Sequence, residues 1–190
     1  MNYLNSDKYL ENSHVLLVGG ELFDNTARFS MFSTFFNEII KMMLDNKIDL
    51  LYLNTNLCYD KDCVDMLISI LQQFDNNSLF DRLKFTTSYD IAGRFANQDK
   101  RTQFLTNLDL INDKFHNIKI VSNIILTNEL CNSILEDKFD IFEYSKKHNT
   151  IVNLIPYIIL DNSLAPDRST IFQTLRKLFV ENPEFAHTWI

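Results

Sequence analysis

Apolar positions along this chain follow two periods that alternate. Val15–Val18, Asp49–Leu53, Arg82–Ser88, Ile118–Leu126 and Thr150–Ile155 read as strands, short apolar runs bounded by polar residues. Between them, apolar residues recur at helical spacing. Thr26 to about Asn46 carries Phe29, Phe32, Phe36, Ile39, Ile40 and Met43 on one stripe. Asp60 to about Phe74 carries Val64, Leu67, Ile68 and Leu71, with Asp60 placed to cap it. About Asp99–Phe115 turns Phe104, Leu108 and Ile111 inward. Thr127 followed by Glu129 starts a short helix, a second short one covers Phe139–Lys147, and Asp167–Val180 is the last, with Ile171, Leu175 and Leu178 in register.

Strand and helix thus alternate about five times, without a long linker or a repeat. This alternation predicts an α/β fold of parallel strands joined by right-handed crossovers. The expectation is a partial open (β/α) barrel, or a parallel sheet of about five strands flanked by helices, since five strands are too few for a closed eight-stranded barrel. The 190 residues are expected to form one domain, with a core over 14–180 and a short apolar tail over 181–190.

Composition narrows the function class. The chain is 46% hydrophobic and 23% charged, enough for a real core. Its formal net charge of -7, with no basic run longer than Lys146-Lys147, argues against nucleic acid and anionic membrane surfaces as partners. No apolar run approaches the roughly 20 residues of a membrane span. The three cysteines, Cys58, Cys63 and Cys131, are read as free thiols in a reducing, cytoplasmic setting. Abundant Asn, Asp, Lys and Ile with little Ala fit an AT-rich coding sequence, bacterial or phage.

The chain has three glycines, and two stand together in His14-Val-Leu-Leu-Val-Gly-Gly-Glu21. A glycine pair at a strand's carboxyl end lets backbone N–H groups approach a ligand that a Cβ would block. Glu21 would project above the sheet, at the edge where open α/β folds bind ligands. The other strand ends are Leu53-Asn-Thr-Asn56, Phe85-Thr-Thr-Ser-Tyr-Asp-Ile-Ala-Gly-Arg-Phe95, Val121-Ser-Asn-Ile-Ile-Leu-Thr-Asn128 and Asn153-Leu-Ile-Pro156.

In order, these strand ends resemble the core of the radical SAM superfamily, from its second strand to its sixth, over roughly residues 14–180. Gly-Gly-Glu and the Ser-Tyr-Asp…Gly-Arg-Phe run before a long helix carry the resemblance best. It implies that Gly19, Gly20 and Glu21 face the methionine amino group of S-adenosylmethionine. It implies further that Ser88 and Asn123 meet its ribose and carboxylate, and that Thr55-Asn56 faces the same cavity. The family's [4Fe–4S] cluster, however, is held by C-x3-C-x2-C after the first strand. Here Met1 falls about where the helix after that loop would lie, and no cysteine precedes Cys58. No cluster is therefore expected on this chain alone, and no catalytic or metal-binding residue is assigned.

The remaining chemistry reads as structural. The cysteine spacing fits neither a zinc pair nor a thioredoxin motif. His14, His116, His148 and His187 are scattered. Asp60/Asp62 and Asp161/Asp167 sit at helix starts, where they cap N–H groups. Phe35 and Phe36 are adjacent, so one of them is a candidate for a contact surface. The tail Phe185-Ala-His-Thr-Trp-Ile190 either packs across the open side of the sheet or docks on another chain. Three functions remain open: a cluster-less binding or interaction scaffold with a protein partner or a second copy, the carboxyl-terminal part of a split radical SAM enzyme, or an ordinary α/β small-molecule enzyme.

Overall fold

The structure, a computed structural model, describes residues 13–17, 22–23, 26–91, 94–157 and 164–180. The elements are β1 (Ser13–Leu17), α1 (Phe29–Leu44), β2 (Ile48–Thr55), α2 (Lys61–Asn76), β3 (Leu83–Tyr89), α3 (Gln98–Lys114), β4 (Ile120–Leu126), α4 (Asn128–Leu135), α5 (Ile141–Lys147), β5 (Thr150–Pro156) and α6 (Arg168–Phe179). The five strands form one all-parallel sheet in the order β1-β2-β3-β4-β5, flanked by helices and not closed into a barrel. The expected α/β class, with about five parallel strands, is what the chain adopts. Among the described residues, no helix is long and apolar enough to cross a membrane.

Helix starts follow the capping residues. The Asp60 carboxylate accepts the Cys63 N–H at 2.9 Å, Thr127 Oγ1 accepts that of Leu130 at 3.3 Å, and Asp167 accepts that of Thr170 at 2.8 Å. These bonds hold the Asp60 and Asp167 carboxyls below the usual carboxylate range. Asp140 caps α5 in the same way, accepting from Phe142 at 2.7 Å and Glu143 at 3.0 Å. The first long helix begins later than its periodicity predicts, because Thr26–Arg28 is a 3-10 turn. Phe29 is consequently exposed, whereas Phe36, Ile39, Ile40 and Met43 are buried as expected.

Two compact units divide the described residues: those up to Thr87 with Thr102–Val121, and Ser88–Arg101 with Ser122 onward. In the first unit β2 and β3 pair in parallel with Leu51 opposite Leu83, Leu53 opposite Phe85 and Thr55 opposite Thr87. Those six side chains are buried. The alternate positions are not: Tyr52 and Thr86 are half-buried, Asn54 and Lys84 are exposed, and Leu16 on β1 is 59% exposed. In the second unit Ser122, Ile124, Leu126 and Val152 are buried, while Asn123, Ile125, Asn153 and Ile155 are half-buried.

Parallel strands buried on both faces read as continuous apolar runs, and a strict buried/open alternation marks a sheet covered on one face. Consecutive parallel strands joined by right-handed crossovers put every connecting helix on the same side, which accounts for this alternation. Phe36 anchors the covered side of the first unit, with Phe23 at 6.0 Å and Phe74 at 6.3 Å between ring centres. Phe35 is half-buried and meets Phe36 edge-on at 5.4 Å. The second unit is built on rings as well, with Tyr89 5.2 Å from Phe95, 5.0 Å from Tyr144 and 5.9 Å from Phe139.

Candidate functional site

Gly19, Gly20 and Glu21, the turn on which the resemblance leans most, lie outside the described residues. So do Gly93, Asp161, His187 and the Phe185–Ile190 tail. The other three expected site residues are placed as follows.

Asn56 opens the loop after β2, in the first unit. Its Oδ1 accepts the Cys58 N–H at 2.8 Å, a turn in which the side chain stands in for a backbone carbonyl. The rest of that loop is held from inside. The Thr55 and Tyr59 hydroxyls are hydrogen-bonded to each other, and Leu57 N–H donates to Thr55 Oγ1 at 3.3 Å. From α3, Asn107 Nδ2 donates to the carbonyls of Leu57 at 2.8 Å and Tyr59 at 3.0 Å, and Gln103 Nε2 also donates to Tyr59 O. Leu57 is fully buried and sits at φ 53, a left-handed conformation unfavourable for a residue with a Cβ. These bonds and the buried Leu57 side chain hold the backbone there.

Ser88 stands half-buried near the carboxyl end of β3, in the second unit. Asn123 lies on the open face of β4, in the same unit, and its Oδ1 accepts a hydrogen bond from Asn153 Nδ2 at 2.9 Å. Asn123 and Asn153 thus form a neutral amide pair across neighbouring strands. Such a pair orients and recognises polar groups but has no titration near neutral pH with which to move a proton.

Behind this face, Tyr144 OH and Ser122 Oγ are 3.2 Å apart and hydrogen-bonded. Burial pushes the Tyr89 hydroxyl above the usual tyrosine pKa, with the nearby Arg101 charge opposing that shift in part.

The residues that sequence reasoning missed are Gln103, Asn107 and Asn153. Gln103 and Asn107 had a signal: two amides one helical turn apart, flanking the inward-facing Phe104 and Leu108. Asn153 had none, because its partner Asn123 is 30 residues away.

The cysteines do not suit an iron–sulfur cluster. Cys63 and Cys131 are buried within α2 and α4, and Cys58 is half-buried. Burial pushes the Cys131 thiol up, away from the thiolate that ligation requires. Among the described residues, no three His, Cys, Asp or Glu side chains are grouped to hold a metal ion.

No protein-family model matches the chain, and no curated protein matches it.

Proposed function

We propose that this chain is a cluster-less relative of the radical SAM proteins that works as a non-catalytic binding or interaction scaffold. The observation that carries the reading is the one-sided sheet. Parallel strands in sequential order with one face open to polar side chains are what a segment of a (β/α) barrel would present from its interior. On that face the second unit offers the Asn123–Asn153 amide pair with half-buried Ile125 and Ile155 beside it. Amides among apolar side chains suit a neutral or zwitterionic ligand, or a protein surface. The thiol positions support the absence of radical chemistry in this reading. A cytoplasmic setting, in a bacterium or phage-infected cell, agrees with three free cysteines.

The test is anaerobic reconstitution of the purified chain with iron and sulfide, followed by assay for reductive cleavage of S-adenosylmethionine. The expected result is no retained cluster and no cleavage product. A stoichiometric [4Fe–4S] signal with cleavage would overturn the scaffold reading in favour of an enzyme. Calorimetry with S-adenosylmethionine then examines the pocket assignment: Asn123→Ala should weaken any binding, and unchanged affinity removes Asn123 from the contact set.

A further inference from the structure

The second unit holds a cavity of about 200 Å³ that no part of the scaffold reading uses. It opens where the end of α4, the start of α5 and the end of α6 meet. Buried Ile134, Ile141 and Leu178 form its floor. Half-buried Phe139 and Phe142 supply aromatic walls. At its mouth stand Asp137, Asp140 and Lys177.

Every part of this cavity is held in place. The segment between α4 and α5 bonds its N–H groups back to α4: Glu136 to Asn132 O at 2.9 Å, Asp137 to Ile134 O at 3.2 Å, and Lys138 and Phe139 to Ser133 O at 2.8 and 3.1 Å. Asp137 takes the left-handed conformation at φ 58 that closes the helix end. Phe139 is stacked on Tyr89 at 5.9 Å and lies 5.8 Å from Tyr144. The Lys177 side chain is only 22% exposed, and its ammonium donates to Leu135 O at 3.1 Å and Asp137 Oδ1 at 2.6 Å. The Asp140 carboxylate is fixed by the two N–H groups it caps. A pocket formed before binding loses little freedom when it is filled.

Charge and size select the ligand. Two carboxylates and one ammonium leave the mouth with one net negative charge, so a single positive charge would complete it. A cation seated there also lies beside two aromatic rings, whose faces attract it. A dry cavity of ~150 Å³ accepts benzene, so this one has room for a ring with a short chain.

We propose that this cavity is a binding site for a small arylalkyl ammonium, the ring among Ile134, Phe139 and Leu178 and the ammonium at Asp137 and Asp140. Phenethylammonium is the probe, titrated into the 15N-labelled full chain by NMR, with phenylacetate as the isosteric anion. The expected result is saturable shifts confined to residues 134–142 and 177–178 for the cation, and none for phenylacetate. Asp140→Asn keeps the cap, because asparagine caps as well as aspartate, and removes the charge; affinity should fall about threefold, as for a solvent-exposed ion pair. No saturation, shifts spread elsewhere, or equal binding of phenylacetate would each overturn the assignment.

Discussion

The loop after β2 and the loop between α4 and α5 are both fully tied, by opposite means. The first is gripped from far away: amides of Gln103 and Asn107, 44 to 50 residues along the chain, reach the Leu57 and Tyr59 carbonyls. The second is tied by its own N–H groups to the helix it has just left. The first ends up buried, with Leu57 and Tyr59 in the core. The second stays at the surface and frames a cavity. Non-local bonds fix a loop only after the fold around it has formed, whereas local bonds fix it as the helix forms.

The largest break in this contrast should come from beneath the first loop. Phe36 is fully buried and reaches Tyr59 through Phe23, which lies 6.0 Å from each ring. Phe36→Ala should cost about 3–5 kcal/mol, read as a lower denaturation midpoint with an unchanged slope in urea. A loss below about 1 kcal/mol would mean that this ring cluster does not support the first unit.

Next comes the amide itself. Asn107→Ala leaves two buried carbonyls short of a donor and should cost about 2 kcal/mol. Hydrogen exchange should show the loosening concentrated at residues 57–60. Uniform loosening across the chain would show that the grip on the loop is not what Asn107 supplies.

A smaller effect should come from the second unit's rings. Because the Tyr89 hydroxyl titrates above its ordinary 10.0 in the fold, the folded state favours the neutral phenol. That contribution is complete below pH 10 and is lost as pH rises through the folded value. Tyr89→Phe should therefore flatten the loss of stability in the alkaline range while leaving the curve near neutrality almost unmoved. An unchanged alkaline limb would refute it.

The smallest effect sharpens the local side. Ser78 ends α2 at φ 56, the position that Asp137 holds at the end of α4. Ser78→Gly should raise stability by about 0.5–1 kcal/mol, since glycine occupies that region without the clash of a Cβ. A lower melting temperature would show that the exposed serine contributes more than its backbone conformation costs.

This division between local and non-local also explains what could be read from the sequence. Strand and helix positions came from apolar period, and the caps Asp60, Thr127 and Asp167 from residue type beside that period; both are short-range signals. β2 runs two residues further than its apolar run predicts, because Asn54 and Thr55 extend the ladder with polar side chains, and Asn54 accepts from Thr86 at 3.2 Å. Phe29 was misplaced because a 3-10 turn shifts the helical phase ahead of α1. The Asn123–Asn153 pair, the ring cluster on Tyr89 and the cavity at Lys177 all join residues separated by helices, and no local period marks such meetings. Two residues of the expected site, Ser88 and Asn123, fall on half-buried strand positions of one unit, and Asn56 is committed to its own loop.

The strand order has a consequence for how the molecule is made. Each strand pairs with the one synthesised just before it, since β1 through β5 lie in the sheet in the order in which they leave the ribosome. No strand must wait for a neighbour encoded further along, and none must be inserted between two already joined. The sheet can therefore grow from one edge during translation, with each helix folding down over the strands already in place. Assembly of this kind keeps the separation between pairing partners small, which speeds folding and shortens the time that unpaired strands are exposed.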